Sequence, residues 1–154
     1  EEGLLKEIMN ITICGSIAFV DKMAEAKQKL EAMGHTVRMP PTEIIGGEGQ
    51  AMDVKEYYKI RKAAASDTGW IWDRKATAMR LHFDKVVSAD AILVLNHNKS
   101  GVPYYIGANT LLEMGLAFHF GKKILLLNPI PDMPYTEEIL GMKPTVLHGN
   151  LNLV

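Results

Sequence analysis

With 154 residues, 47% apolar and 23% charged, and a formal net charge of −1, the chain has the composition of one soluble domain able to bury its own core. It has no basic block for nucleic acid, no apolar run long enough to span a membrane, and an opening EEGLLKEIMN too acidic for a signal peptide, so a single cytoplasmic domain over 1–154 is expected. The lone Cys14 suits a reducing compartment and excludes an internal disulfide and a cysteine-based metal cluster.

ITICG (11–15), a β-branched apolar run stopped by glycine, predicts a buried strand. In FVDKMAEAKQKLEAMG, Met23, Ala26, Leu30 and Met33 recur at helical spacing, and Gly34 marks the stop. HTVRMPP (35–41) predicts a second strand halted by two prolines, and TEIIGGEGQAMD (42–53) a glycine-rich, mobile loop. Helices are predicted from Val54 to about Ala65 and from Asp73 to Ser88, the latter with Met79, Phe83, Val86 and Val87 on one face. DAILVLN (90–96) is an unbroken apolar strand, as expected when both sheet faces are covered. After the loop HNKSGVPYYIGAN come a helix over Leu111–Phe120, a strand KILLLN (123–128), a short helix near 135–141 and a strand TVL (145–147).

Strands alternating with helices imply βαβ units with right-handed crossovers. Five strands in this length predict an α/β fold: a three-layer, doubly wound, mostly parallel five-stranded sheet of flavodoxin- or Rossmann-like form. Ligands in such folds bind beyond the carboxyl ends of the strands. Three loops are expected to meet there: Gly15–Ala18, Asn96–Asn109 and Asn128–Tyr135.

Gly15 and Ser16 follow the first strand and precede the first helix. Backbone N–H groups and a hydroxyl at such a turn favour an anion such as phosphate, though Ser16 also suits a helix N-cap. The turn is neither GxGxxG nor a Walker motif. In the nearly all-apolar helix 111–120, Glu113 is the anomaly, since burying an unpaired carboxylate is costly. Thr110-Leu-Leu-Glu113 reads as a capping box. The two roles are compatible, because a helix start at the crevice also helps keep a carboxylate ionised. Trp70 and Trp72 can stack on a base or pack a helix start, and Arg61 or Lys62 can reach a phosphate or form a solvated face. His35, His119 and His148 read as structural or surface groups, and no histidine spacing suggests a metal. His82 and Asp84 lie near the end of the helix that leads to DAILVLN, with surface polarity as their simplest role.

The block IGANTLLEMGLAFHFGKKILLL, the turn CGSI and the strand SADAILVLN resemble the nucleoside 2-deoxyribosyltransferase family, including its branch of nucleotide N-glycosidases. The resemblance covers roughly residues 11–38 and 78–128. It implies Glu113 as the nucleophile that attacks the anomeric carbon of the sugar, and Gly15, Ser16 and Ile17 as phosphate or sugar contacts. The family's acidic position before the third strand falls nearest His82, with Asp84 just after it. Ser100, Tyr105 and Asn109 in the long loop, and Asn128 after the next strand, are further candidate substrate contacts. No cofactor is implied. The partner is a small nucleoside or nucleotide, and a homodimer or higher homo-oligomer is expected, because helix 111–120 is apolar on more faces than one sheet can cover. The resemblance leaves hydrolysis and base exchange both open. The alternative is a non-catalytic nucleotide-binding or sensing module in which Glu113 only caps its helix.

Overall fold

A computed structural model describes residues 7–64 and 69–154. The segment EEGLLK and the expected helix end at Ala65 lie outside the described residues. In chain order the elements are β1 (Asn10–Gly15), a 3-10 turn (Ile17–Phe19), α1 (Val20–Ala32), β2 (Thr36–Arg38), β3 (Glu43–Ile45), β4 (Ala51–Asp53), α2 (Val54–Ala63) and α3 (Gly69–Val87). They continue with β5 (Ala91–Leu95), α4 (Ala108–His119), β6 (Lys123–Leu126), α5 (Thr136–Gly141), β7 (Thr145–Val146) and a 3-10 turn (Leu151–Leu153). Among them, no helix is long and apolar enough to cross a membrane.

The main sheet has the order β2-β1-β5-β6-β7, with every neighbouring pair parallel. This is the expected doubly wound α/β architecture. The chain first winds from β1 out to β2 and then returns to build on the other side of β1, so the winding reverses between β1 and β5. Their carboxyl ends open the crevice in which this kind of sheet takes ligands.

Residue parity along the strands divides the core. Ile11, Ile13, Ala91, Leu93 and Leu95 face α1, where they meet Met23, Ala26 and Leu30. Cys14, Ile92 and Val94 face the other way, onto Val86 of α3, Met114 and Ala117 of α4 and Ile139 of α5. Because side chains alternate along a strand, the last side chain of β1 before Gly15, that of Cys14, must enter the α3/α4 layer.

Residues 42–53 form structure where a loop is expected. β3 and β4 pair antiparallel, with Ile44 opposite Met52, and Gly46 N–H donates to the Gln50 carbonyl at 2.7 Å to close the turn. The hairpin is held against α3, which begins at Gly69, four residues before the expected Asp73. The indole of Trp70 lies so close to Gly47 that a Cβ there would be 3.0 Å from the ring. Arg74 Nε donates to the Ile45 carbonyl at 2.9 Å. Trp70 also lies 6.3 Å from the Tyr57 ring, so its role is packing, while Trp72 is exposed.

Candidate active site

Three buried polar side chains from three elements converge beside the crevice: Cys14 of β1, His82 of α3 and Glu113 of α4, at 0%, 6% and 3% exposure. His82 Nε2 lies 3.6 Å from Cys14 Sγ and 3.7 Å from Glu113 Oε2. Asn109, one turn before Glu113 on α4, donates through Nδ2 to Glu113 Oε1 at 3.1 Å and fixes the carboxylate. Burial raises the Glu113 carboxyl to about 7, against the opposing influence of Cys14 and Lys75. Burial, with the Lys85 charge, pushes His82 down to about 4, so the ring is neutral and the contact is not a salt bridge at neutral pH. Burial also drives the Cys14 thiol well up, and the Glu113 charge adds to this. His82 Nδ1 has no hydrogen-bond partner among the described residues.

The capping-box reading of Glu113 fails on where the helix starts. α4 begins at Ala108 behind an N-cap at Gly107, which makes Thr110 its third residue rather than its cap. Glu113 therefore lies in the second turn, beyond the unpaired N–H groups a capping carboxylate serves. Its side chain forms part of a cavity wall instead.

That cavity is about 290 Å³ and opens between the end of β1, at Gly15, and the loop after β5, at Lys99 and Tyr105. Gly15, Ser16 and Ile17 form one wall, Tyr105, Asn109 and Glu113 another, and Tyr57, Tyr58 and Met79 much of the rest. Gly15 is needed for close approach, since a Cβ there would meet the Leu95 carbonyl oxygen at 3.0 Å. Ser16 is the N-cap that the sequence allows, its Oγ accepting from Ala18 N–H at 3.3 Å. The same Oγ accepts from Lys99 Nζ at 2.9 Å, and Lys99 also donates to the Tyr58 hydroxyl at 2.8 Å. Burial raises the Tyr58 hydroxyl, but the Lys99 hydrogen bond and charge, with Lys62 and Arg61, outweigh this and lower it. Arg61, Lys62, Lys75 and Lys99 all line the cavity, with Glu113 the sole carboxylate among the lining residues.

The cavity thus gathers Gly15, Ser16, Ile17, His82, Tyr105, Asn109 and Glu113. His82 is buried rather than a surface group. Asp84, two residues on, is turned by about 200° around α3 and is exposed, so it does not reach the site. Ser100 is exposed in a tight turn at φ 50°, while its neighbour Lys99 points inward. Asn128 serves as a brace: its N–H donates to Asn96 Oδ1 at 2.9 Å, and its side chain donates to the Asn96 carbonyl at 3.2 Å. The loop 128–135 contributes no lining residue, although Tyr135 donates to the Ile106 carbonyl. Cys14, Tyr58, Lys75 and Lys99 are the site residues that sequence reasoning missed. For Lys99 the only available signal is its place in the loop after the central strand.

The sequence matches no protein-family model and no curated protein. Its fold is similar to that of a 2-deoxyribosyltransferase from Bacillus psychrosaccharolyticus, with 16% identity and a TM-score of 0.45 over 76% of this chain and 70% of that one. It is also similar to a CMP N-glycosidase from Clostridium botulinum, with 16% identity and a TM-score of 0.44 over 89% of this chain and 84% of the other. Both are likenesses of fold.

Proposed function

We propose that this chain cleaves the N-glycosidic bond of a (deoxy)nucleoside or nucleoside 5′-monophosphate, with Glu113 as the nucleophile. One observation carries the reading: a carboxylate only 3% exposed forms part of the wall of a cation-lined cavity at the switch point of the sheet. Breaking a glycosidic C–N bond builds positive charge on the sugar ring, and a fixed, poorly hydrated carboxylate beneath the anomeric carbon stabilises or captures that charge. The base departs with the bonding pair and takes a proton. Water then attacks the glycosyl–Glu113 ester to give the free sugar, or a second base attacks it to give a new nucleoside. His82, neutral and beside Oε2, suits holding the carboxylate in place better than donating a proton at neutral pH. The test is free base, detected chromatographically, after incubation with ribo- and deoxyribonucleosides and their 5′-monophosphates. Base release supports the enzyme; binding throughout the panel without release supports a sensing module instead.

The Ser16–Lys99 pair is the proposed seat of a 5′-phosphate. Ser16→Ala is expected to weaken monophosphates more than the matching nucleosides, since a charge-assisted hydrogen bond contributes about 1.5–3 kcal/mol. Equal losses for both ligand types would leave Ser16 with its cap role alone.

A homodimer or larger homo-oligomer is also part of the proposal. Leu112 and Phe118 on different sides of α4, and Phe120 just after it, are each more than half exposed. Large apolar groups left outside on a central helix favour burial against another copy. In that assembly the loop 128–135, which lines nothing in its own chain's cavity, is the proposed contributor to a neighbour's. Light scattering that gives a monomer at micromolar concentration would contradict this.

A further inference from the structure

We propose that Cys14, His82 and Glu113 form a zinc-binding site, with Cys14 Sγ, His82 Nε2 and Glu113 Oε2 as three protein ligands and the fourth position open to the cavity. No ligand spacing along the chain announces it, because the three residues come from a strand and two different helices. The expectation of no metal site, drawn from sequence spacing, is revised on this geometry.

The three ligand atoms lie within 4.8 Å of one another. Zinc bonds of about 2.3 Å to sulfur and about 2.0–2.2 Å to nitrogen and oxygen, at tetrahedral angles, require ligand separations of roughly 3.5 Å for S···N and roughly 3.4 Å for N···O. The observed separations are 3.6 Å and 3.7 Å. A mixed thiolate, imidazole and carboxylate set suits zinc, whereas magnesium and calcium prefer all-oxygen shells.

The ligand set is also held in place, although Arg61, Lys62, Lys75 and Lys99 make the cavity an ion must cross positively charged. Asn109 Nδ2 already holds Glu113 Oε1 at 3.1 Å, which leaves Oε2 directed at His82 and acts as an outer-shell restraint on the ligand. Both His82 and Glu113 line the cavity, so an ion has a path in and one coordination position left for water or a substrate oxygen. Burial makes the Glu113 carboxylate costly despite the nearby Lys75 charge, and a divalent cation would neutralise it. On binding, the thiol proton, and any proton on the carboxyl group, leave to solvent. Zinc here would occupy the same Glu113 oxygen the proposed nucleophile uses, so it would act as a reversible inhibitor of base release. Binding itself does not depend on the functional reading; only the inhibition does.

The test is a titration of the metal-free protein with zinc against a competing colorimetric chelator, alongside thermal melts and cobalt(II) spectra. One zinc per chain, a raised melting temperature and a sulfur-to-cobalt charge-transfer band are expected. Cys14→Ser should lose the band, and Cys14→Ser and His82→Gln should each weaken zinc at least about 10-fold, the lower end of what even outer-shell changes produce. No binding by the wild type, or equal binding by wild type and both variants, would overturn the site. Should a variant fail to melt cooperatively without metal, the wild-type cobalt spectrum decides: no sulfur band, no site. Zinc binding by a protein that, in its metal-free form, releases base from no nucleotide would sink the enzyme reading and leave the metal site standing. Base release unaffected by a bound zinc would reject the shared use of Glu113.

Discussion

Glu113→Gln is expected to give a folded chain that still binds its nucleotide but releases base more slowly by several orders of magnitude, as when a covalent nucleophile is removed. Glutamine preserves the size of the side chain and can still accept from Asn109 Nδ2 through its amide oxygen, so the wall of the cavity keeps its shape. What it lacks is the negative charge and the nucleophilic oxygen. A glutamate held only for structure would predict near-normal turnover from the same variant. Base release and ligand binding measured on one preparation separate the two cases, and near-normal release from a folded, binding-competent variant would end the nucleophile reading. Glu113→Asp makes the complementary check. It keeps the charge but withdraws it by one methylene, so a partial loss is expected where reach to the anomeric carbon matters.

The sheet was legible in the sequence because its strands are punctuated: ITICG ends at a glycine, HTVRMPP at two prolines, and DAILVLN is apolar without a break. The hairpin over 43–53 was not legible, because two three-residue strands on either side of a glycine turn show too little alternation to register. A small boundary error had a large consequence at the site. Starting α4 near Leu111 makes Thr110 a cap and Glu113 its reciprocal partner, whereas the observed start at Ala108 moves Glu113 into the second turn and onto the cavity wall. Cys14, His82 and Glu113 are 68 and 31 residues apart along the chain, so only the crossing of β1, α3 and α4 joins them. Lys99 was hidden for another reason: its loop has no periodicity to say which of two neighbours, Lys99 or Ser100, points inward.

The pH dependence of rate and stability gives a second large effect, and the two buried neighbours pull stability in opposite directions. If the carboxylate is the working form, base release should rise with pH until Glu113 ionises near 7, so at pH 5 it should be down by about 100-fold. For stability, Glu113 is protonated more readily in the folded chain, at about 7 against 4.5, so its contribution falls as pH rises from 4.5 to 7. His82 is protonated less readily when folded, at about 4 against 6.5, so its contribution rises with pH across 4 to 6.5. Each shift corresponds to about 3 kcal/mol, and between 4.5 and 6.5 the two slopes nearly cancel. Together the pair should therefore add little pH dependence to the wild-type melting temperature over that range. Glu113→Gln removes one slope and should lose stability on acidification through it, by about 6–12 °C in Tm. His82→Gln removes the other, and should lose stability by a similar amount as pH rises from 4.5 to 7. A Glu113→Gln melting profile parallel to the wild type's would show that this carboxylate is not held away from water.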